Sequence, residues 1–245
     1  MNFSLILPTL GEERLKRFLD SVERTAKYRN QVEVLLAIDE GSMSKFHWIV
    51  KDKYTFLVRI YQRPKTDNFS DDYYNYLANR SVGDNIYVCN DDIMLKTQNW
   101  DEKLLKKIDE HGWSIYLIDT LDTTRGKVNK DFCCFPIISR KAVNEIGFLF
   151  YPQVRVYPAD KTIYGLYKKI GRVINAHDIS VQSHYVSEDN NPRLWNIYQE
   201  DLKNGNLVVD ITREVLILLM ATKDDPGKKG KSKFKRIMEI IKEKQ

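Results

Sequence analysis

The sequence predicts an α/β protein in which helices flank a mostly parallel, Rossmann-like β-sheet. Short apolar segments of strand length recur through the first hundred residues, and segments with helical spacing of apolar residues separate them. This alternation is typical of a doubly wound sheet. Right-handed crossovers then bring the ends of the first, second and fourth strands to one edge, which is where such sheets bind their ligands.

The first half of the chain supplies four of the predicted strands. The first covers residues 3–10, the second runs from Val32 to Asp39, the third lies near residues 55–61 and the fourth is Ile86–Val88. The first helix follows Glu12, because the apolar residues after it recur every three or four positions. Two further helices are predicted at residues 44–51 and 71–82.

Beyond residue 95 the alternation is less regular. The pattern predicts a helix that ends at Gly112, a strand, and a hairpin with its turn near Gly126. Glycines also mark the ends of two later helices, at Gly147 and Gly171. One or two strands are expected at 173–186, and helices near 192–202 and 211–223 complete the predicted elements.

Composition limits the class of protein. The chain has 245 residues, and its hydrophobic content of 42% is enough for a sizeable core. No apolar run approaches the length of a membrane span, and the first residues look like a strand rather than a signal peptide. Three cysteines form no disulfide framework and no zinc-binding spacing, so we expect a reducing, cytoplasmic setting.

The net charge of +5 is confined to the last residues. Residues 223–245 contain nine Lys or Arg and four Asp or Glu, so residues 1–222 are close to neutral. This distribution argues against a nucleic-acid-binding face on the body of the protein. The tail also places Phe234, Ile237, Met238 and Ile241 on one helical face, which predicts an interfacial helix attracted to anionic lipid. A solvated tail is the alternative.

Two adjacent carboxylates follow the fourth strand. Asp91 and Asp92 come directly after a buried-looking segment, where their mutual repulsion favours a bound cation. Oxygen ligands suit Mg²⁺ or Mn²⁺, and such an ion can also hold a phosphate-bearing substrate. A solvated Asp-rich turn is the alternative interpretation. Late in the chain, alternation of apolar and polar residues puts His184 on the polar side of its strand, as a rim histidine or a ligand.

Five segments together resemble family 2 inverting glycosyltransferases with the GT-A fold. In chain order they read LILPTLGEERL, LLAIDEGS, NYLANRSVGDNIYVCNDD, ISRKAVNEIGFLF and PADKTIYGLYKKIG, and the resemblance covers roughly residues 3–186. It implies a GT-A domain at 1–222, with a nucleotide-binding half at 1–95 and a smaller acceptor-side half at 96–222. Residues 223–245 would be a basic linker and helical tail.

The resemblance also implies roles for individual residues. The nucleotide-sugar ligands would be Thr9, Glu12, Asp39, Asn75 and Asp91, and the metal ligands would be Asp92 and His184. Asp39 offers only acceptors, which suits an N–H of uracil or guanine. Two positions depart from the family pattern, because Tyr74 replaces the Arg before Asn75 and Asn90 stands where the first Asp of the DXD motif often is.

An inverting transfer requires one general base for the acceptor hydroxyl. The resemblance assigns this role to Asp160, although Ala159 replaces the Glu that usually precedes it. A simple helix-capping role is the alternative for Asp160. On the acceptor side, Trp195 and residues 187–193 could form a flap with an aromatic face for a sugar, or Trp195 could belong to the core.

The predicted function is therefore metal-dependent transfer of a sugar from a UDP- or GDP-linked donor to a hydroxyl of a glycan or other acceptor, with inversion. One alternative is a sugar-phosphate nucleotidyltransferase, although the loop after the first strand has a single glycine, Gly11. Another is a non-catalytic adaptor that binds nucleic acid or membrane through the basic tail. A modified nucleic-acid base as acceptor is a further possibility that the neutral body does not favour.

Overall fold

The residues that the structure describes form one eight-stranded sheet. The computed structural model describes residues 1–9, 11–51, 54–125, 132–156, 159–183, 192–203, 211–222 and Asp225. The strands are β1 (Phe3–Pro8), β2 (Val32–Asp39), β3 (Leu57–Arg63), β4 (Asn85–Val88), β5 (Ile93–Leu95), β6 (Leu117–Asp122), β7 (Ile137–Ser139) and β8 (Val173–Ser183). Their order in the sheet is β3-β2-β1-β4-β7-β6-β8-β5.

The helices alternate with these strands. They are α1 (Glu12–Thr25), α2 (Trp48–Lys51), α3 (Tyr76–Ala78), α4 (Trp100–His111), α5 (Arg140–Ile146), α6 (Ala159–Ile170), α7 (Pro192–Lys203) and α8 (Thr212–Ala221). A π-helical turn (Ser70–Asn75) leads directly into α3, and 3₁₀ turns lie at Arg29–Gln31, Met43–Phe46 and Thr123–Arg125. Among the helices that the structure describes, none is long and apolar enough to cross a bilayer.

The sheet is mixed. β1 to β4 are parallel, as the sequence predicts for the first half of the chain. β7 is antiparallel to both β4 and β6, and β5 is antiparallel to β8. β7 pairs with β6, which is the strand predicted before the hairpin, whereas Thr123–Arg125, expected in the first arm of the hairpin, form a 3₁₀ turn. The predicted turn near Gly126 lies outside the described residues. Because β8 is parallel to β6, β5 and β7 are the strands that run against the others among the eight that the structure describes.

Alternating side chains of the strands bury both faces of the sheet. In β1, Leu5 and Leu7 point to one face and Ile6 to the other, and all three are fully buried. α1 and α4 cover the first face, whereas α3, α5, α6 and α8 cover the second. The result is three layers with a core on each side of the sheet, which is the arrangement expected for near-continuous apolar strands.

Most predicted helix ends agree with the structure. α4, α5 and α6 are each followed by the predicted glycine, which adopts a positive φ that other residues rarely tolerate. Three features differ from the prediction. The helix predicted at 71–82 begins as the π turn and ends at Ala78, the helix at 44–51 divides into a 3₁₀ turn and α2, and β5 was not expected at all.

Candidate active site

A cleft of about 460 Å³ lies at the carboxyl ends of β1, β2 and β4. Because these three strands are parallel neighbours, the residues that follow them meet at one edge of the sheet. Five residues that the sequence singles out line this cleft together: Thr9, Asp39, Asp91, Asp92 and Asp160. The remaining described lining residues are Pro8, Gly11, Arg14, Ala37, Phe69, Ser70, Tyr73, Tyr74, Val88, Asn90, Cys134, Phe150, Val156 and Ala159.

Thr9 connects the ends of β1 and β4. Its backbone N–H donates to Ala37 O at 3.0 Å, which extends the pairing with β2 by one residue. Its hydroxyl donates to Asp91 Oδ2 at 2.7 Å, and the residue is only 3% exposed. The hydroxyl therefore fixes the orientation of the Asp91 carboxylate where water has little access.

Asp39 is held at the end of β2 by an aromatic residue. The Tyr73 hydroxyl donates to Asp39 Oδ1 at 2.6 Å, and the Tyr73 ring packs edge-on against Phe69 with centroids 5.2 Å apart. The chain turns away from β2 at Gly41, whose φ of 81° lies in the left-handed region. Asp39 is half-buried, so its acceptor oxygens face a cleft with an aromatic wall.

Tyr74 belongs to the same wall. Its hydroxyl lies 2.7 Å from Asn90 Oδ1 and 3.1 Å from the carbonyl oxygen of Cys89, and it donates to one of them at a time. Its ring packs edge-on against Phe150, with centroids 5.5 Å apart. Tyr74, which stands where the family pattern has Arg, thus joins the end of β4 to the Phe150 wall of the cleft.

Two predicted nucleotide ligands lie elsewhere. Asn75 is 4% exposed and is not among the residues that line the cleft. Its Oδ1 accepts the N–H groups of Leu149 and Phe150, and its Nδ2 donates to Phe150 O and Asp71 Oδ1. The side chain therefore holds the Phe150 wall in place instead of facing a ligand. Glu12, at the start of α1, is exposed and is also not a lining residue.

Asp160 lies in the first turn of α6, one residue after the helix begins at Ala159. It is half-buried, and its Oδ1 accepts the N–H of Lys161 at 2.8 Å. At this first-turn position the helix dipole stabilises a carboxylate. His184, residues 187–191 of the predicted flap and nearly all of the tail lie outside the described residues.

The cleft carries an excess of negative charge. Four carboxylates line it, whereas Arg14 is the only cationic side chain among the lining residues that the structure describes. A diphosphate would be repelled by this arrangement unless a cation entered with it. Within the described part of the chain, no three His, Cys, Asp or Glu side chains converge to hold a metal ion by themselves. Mg²⁺ commonly uses one or two carboxylates together with substrate phosphates, so the oxygen donors of Asp91 and Asp92 suit it.

Several lining residues were missed by the sequence analysis. Arg14, Tyr73 and Cys134 carry no motif of their own, and only the position of Arg14 just after the first strand offered a signal. Cys134 is half-buried in the cleft, whereas Cys89 and Cys133 are buried. Burial raises the pKa of each of the two thiols, Cys89 and Cys133, well above the ordinary value of a cysteine, so both stay protonated.

Arg155 ties α7 to the wall of the cleft. Its Nε donates to Asp201 Oδ1 at 2.8 Å, and its carbonyl oxygen accepts the N–H of Ser70, a lining residue, at 3.1 Å. Asp201 is fully buried. The hydrogen bond to Asp201 is the main reason that the pKa of Arg155 is raised.

The three other histidines are not among the residues that line the cleft. His47 is exposed, and His111 Nδ1 lies 2.8 Å from Lys107 O. His177 Nε2 lies 3.1 Å from Asp119 Oδ2, next to an irregularity where the β6–β8 register shifts after Thr120.

Solved structures with similar folds include several that hold sugar nucleotides or their products. A mannosyltransferase from Pyrobaculum calidifontis, PcManGT with GDP-Man and Mn²⁺, gives a TM-score of 0.65 at 12% identity over 97% of this chain and 68% of its own. S. aureus TarS with UDP-GlcNAc gives 0.60 at 16% identity, over 90% of this chain and 71% of its own. GalNAc-T7 with UDP, GalNAc and Mn²⁺ gives 0.58 at 13% identity, over 75% of this chain and 43% of its own.

No family profile and no curated protein sequence matches the chain significantly. At the identities found, the structural similarity establishes the fold and not the individual activity. The chain has the fold of GT-A-type glycosyltransferases.

Proposed function

We propose that the protein is a metal-dependent glycosyltransferase that moves a sugar from a UDP- or GDP-linked donor to an acceptor hydroxyl with inversion. The observation that supports this best is the convergence of Asp39, Asp91, Asp92 and Asp160 on one cleft of a GT-A-type fold. Asp39 ends β2, Asp91 and Asp92 follow β4, and Asp160 lies in the first turn of α6, so three separate parts of the chain contribute them. A cleft of about 460 Å³ is also large enough for a bound small molecule.

Asp39 is the group we assign to the base of the nucleotide. Its oxygens only accept hydrogen bonds, so they pair with a ring N–H, which uracil and guanine possess. Tyr73 holds one of these oxygens at 2.6 Å and so fixes the plane of the carboxylate before a ligand arrives. Phe69 and Tyr74 supply the aromatic surface of the same region.

Asp91 and Asp92 are the groups we assign to the metal end of the donor. Asp92, with His184 from outside the described residues, would ligate Mn²⁺ or Mg²⁺, and Asp91 would contact the ribose or a metal-bound water. When bound by these residues, a divalent cation would supply positive charge to offset the charge that develops on the diphosphate as the glycosidic bond breaks. Thr9 orients Asp91 for this role through its 2.7 Å hydrogen bond. Arg14 supplies the one cationic side chain of the described lining.

Asp160 is the group we assign to the acceptor. As a general base it would take the proton of the acceptor hydroxyl as that oxygen bonds to the anomeric carbon, while the nucleoside diphosphate departs on the opposite side. The acceptor is a glycan or another hydroxyl-bearing molecule.

Thermal unfolding with a panel of nucleoside diphosphates and sugar nucleotides, with and without Mn²⁺, tests the proposal. A ligand at one hundred times its Kd stabilises the folded state by about 2.7 kcal/mol, which raises the Tm by about 5–10 °C. We expect this shift only with Mn²⁺, and we expect Asp92→Asn to abolish it. Glu110→Gln, which changes an exposed carboxylate on α4, is the matched control. An unchanged shift in the presence of chelator would refute the metal assignment.

A nucleotidyltransferase is the second candidate, and the position of Arg14 favours it. Gly11 and Arg14 line the cleft directly after β1, where such an enzyme needs a phosphate-binding loop. The two functions differ in their products. Release of pyrophosphate from a nucleoside triphosphate and a sugar phosphate would support the second candidate, whereas release of a nucleoside diphosphate from a sugar nucleotide supports the first. The anomeric configuration of the glycoside formed on the acceptor, measured by NMR, tests inversion.

A further inference from the structure

β3 forms one end of the sheet, where β2 is its neighbour on one side and no described strand lies on the other. The backbone N–H of Glu40, which follows β2, donates to Arg63 O at 2.9 Å, so Arg63 directs its backbone groups toward β2. Alternate residues of a strand direct these groups to opposite sides. The N–H and C=O groups of Val58, Ile60 and Gln62 therefore point away from β2, and within the described residues no hydrogen bond reaches them.

This free edge has few of the features that usually prevent a strand from pairing further. β3 pairs with β2 through seven consecutive residues without a bulge, and it contains no proline. Leu57 is 42% exposed, and Val58 and Ile60 are half-buried. The edge of β3 is therefore long and regular enough to accept an added strand.

Two arginines flank one tyrosine ring beside this edge. Tyr61 of β3 packs edge-on against Tyr76, with ring centroids 5.9 Å apart. The guanidinium carbon of Arg63 lies 3.9 Å from the centroid of the Tyr76 ring, and that of Arg80 lies 3.6 Å from the same point. Two guanidiniums cannot share one face of the ring at these distances, so they lie on opposite faces. Arg80 also lies 6.0 Å from the Tyr61 ring, which places it next to β3.

The positive charge of this pair is not neutralised by the described residues. Arg63 Nε donates to the backbone carbonyl of Asp72 at 3.2 Å, and Arg80 Nη1 donates to that of Tyr76 at 3.5 Å. The Asp72 carboxylate accepts the Thr66 hydroxyl instead. Within the described part of the chain, neither arginine forms an ion pair. Two like charges on one ring repel each other, so a carboxylate that reached them would be stabilised.

We infer that the free edge of β3 binds an extended, acidic peptide segment of another protein as an added strand. The outward backbone groups of Val58, Ile60 and Gln62 would pair with the backbone of this segment. Successive side chains of a strand point to opposite sides, so carboxylates at every second position would reach Arg63 and Arg80. Apolar side chains at the positions between them would lie over Val58 and Ile60. This inference does not depend on the proposed catalytic function.

Other occupants satisfy only part of this surface. Antiparallel pairing of two copies of β3 about Ile60 sets Arg63 of each copy opposite Leu57 of the other. Arg59 is then the diagonal neighbour of Arg63, so neither copy supplies a carboxylate. A nucleic acid or an anionic lipid would neutralise Arg63 and Arg80 but leave the backbone groups of the edge unpaired. An acidic peptide satisfies both the backbone and the charge.

Anisotropy titrations of a fluorescein-labelled synthetic peptide, SETEVTVS, with the full-length protein test the inference. When this peptide lies antiparallel to β3, its glutamates are opposite Arg63 and Tyr61. Its valines are then opposite Ile60 and Val58. We expect saturable binding that weakens at high salt, and no binding of SKTKVTVS, in which lysines replace the glutamates.

Two matched pairs of variants separate the backbone from the charge. Gln62→Pro removes an outward N–H, whereas Gln62→Ala keeps it and loses only the side chain, which accepts the Gly41 N–H at 3.3 Å. We expect Gln62→Pro to bind SETEVTVS roughly tenfold more weakly than Gln62→Ala. Arg80→Glu reverses an exposed charge and should also weaken binding roughly tenfold. Arg24→Glu, which changes an exposed residue of α1 on the other face of the sheet, should leave it unchanged.

Four results would overturn the inference. The first is no binding of SETEVTVS, or equal binding of SKTKVTVS. The second is equal affinity of the Gln62→Pro and Gln62→Ala variants, because backbone pairing would then contribute nothing. The third is equal loss in Arg80→Glu and Arg24→Glu, which would reduce the effect to net charge. The fourth is a dimer in light scattering that Gln62→Pro converts to a monomer, because a second copy would then occupy the edge. Unchanged circular dichroism of each variant establishes that the fold is retained.

Discussion

Replacing Thr9 with Val removes one hydroxyl and preserves the shape of the side chain. The hydroxyl donates to Asp91 Oδ2 at 2.7 Å, and hydrogen bonds to charged groups contribute about 1.5–3 kcal/mol to stability. Thr9 is only 3% exposed, so water has little opportunity to replace the lost donor. We therefore expect the free energy of unfolding of Thr9→Val, measured by urea denaturation, to fall by about 1.5–3 kcal/mol.

The effect of Thr9→Val on ligand binding should be smaller. The hydrogen bond is present before any ligand binds, so binding loses only the free energy needed to order the released Asp91 side chain. That cost is about 0.5–1.5 kcal/mol, which weakens binding of a nucleoside diphosphate with Mn²⁺ roughly 2- to 12-fold in calorimetric titration. Thr9→Ser keeps the hydroxyl and loses one methyl group, so we expect nearly unchanged affinity and a stability loss of about 1 kcal/mol.

The pattern across the two variants tests the reasoning. If Thr9→Val retained full stability, the hydrogen bond would contribute nothing in solution. If Thr9→Val lost far more in affinity than in stability, Thr9 would contact the ligand itself instead of orienting Asp91. If Thr9→Ser lost as much stability and affinity as Thr9→Val, the methyl group and not the hydroxyl would be the important part of the side chain.

Three further predictions concern catalysis, thiol reactivity and pH. Asp160→Asn should lower kcat for sugar transfer by about 10²–10⁴ while donor Kd stays nearly constant, and a parallel loss of donor affinity would argue against the base role. Among the three thiols, iodoacetamide should alkylate only Cys134 in the native protein, and mass spectrometry of the labelled protein measures this. A bound nucleotide should slow the alkylation of Cys134. Labelling of Cys89 at the same rate as Cys134 would contradict the described burial. Because burial raises the pKa of Cys89 and Cys133, the native state keeps two protons that the unfolded chain releases above about pH 8.5. The free energy of unfolding should therefore fall as pH rises from 8 to 10, by at most about 1.4 kcal/mol per pH unit for each thiol, and Cys89→Ala should reduce that slope.

The parts of the fold that sequence could predict are those with a local pattern. The parallel strands β1 to β4 contain apolar runs, and the carboxylates Asp39, Asp91 and Asp92 follow such runs directly. Strand direction in an α/β sheet then brings the three carboxylates to one edge. The cleft that contains them was therefore accessible from sequence, together with Asp160 through its resemblance to a known motif.

The remaining features depend on contacts between distant residues. β5 has three residues, too few to display a strand period, and its partner β8 lies some ninety positions later in the chain. The π turn at Ser70–Asn75 departs from a spacing of 3.6 residues, so periodicity could not show that Tyr73 and Tyr74 both line the cleft while Asn75 faces Phe150. The link from Arg155 to Asp201 likewise joins segments with no shared pattern.

The position of β4 inside the sheet affects how the protein is made. β1 to β4 all emerge from the ribosome early, but the partner that covers the second side of β4 is β7, at Ile137–Ser139. Until that segment is synthesised, the nascent chain presents an apolar strand with unpaired backbone groups, which is the kind of edge that invites association with other chains. A fragment that stops after residue 95 should therefore aggregate in isolation, and chaperones should bind the growing chain in this interval.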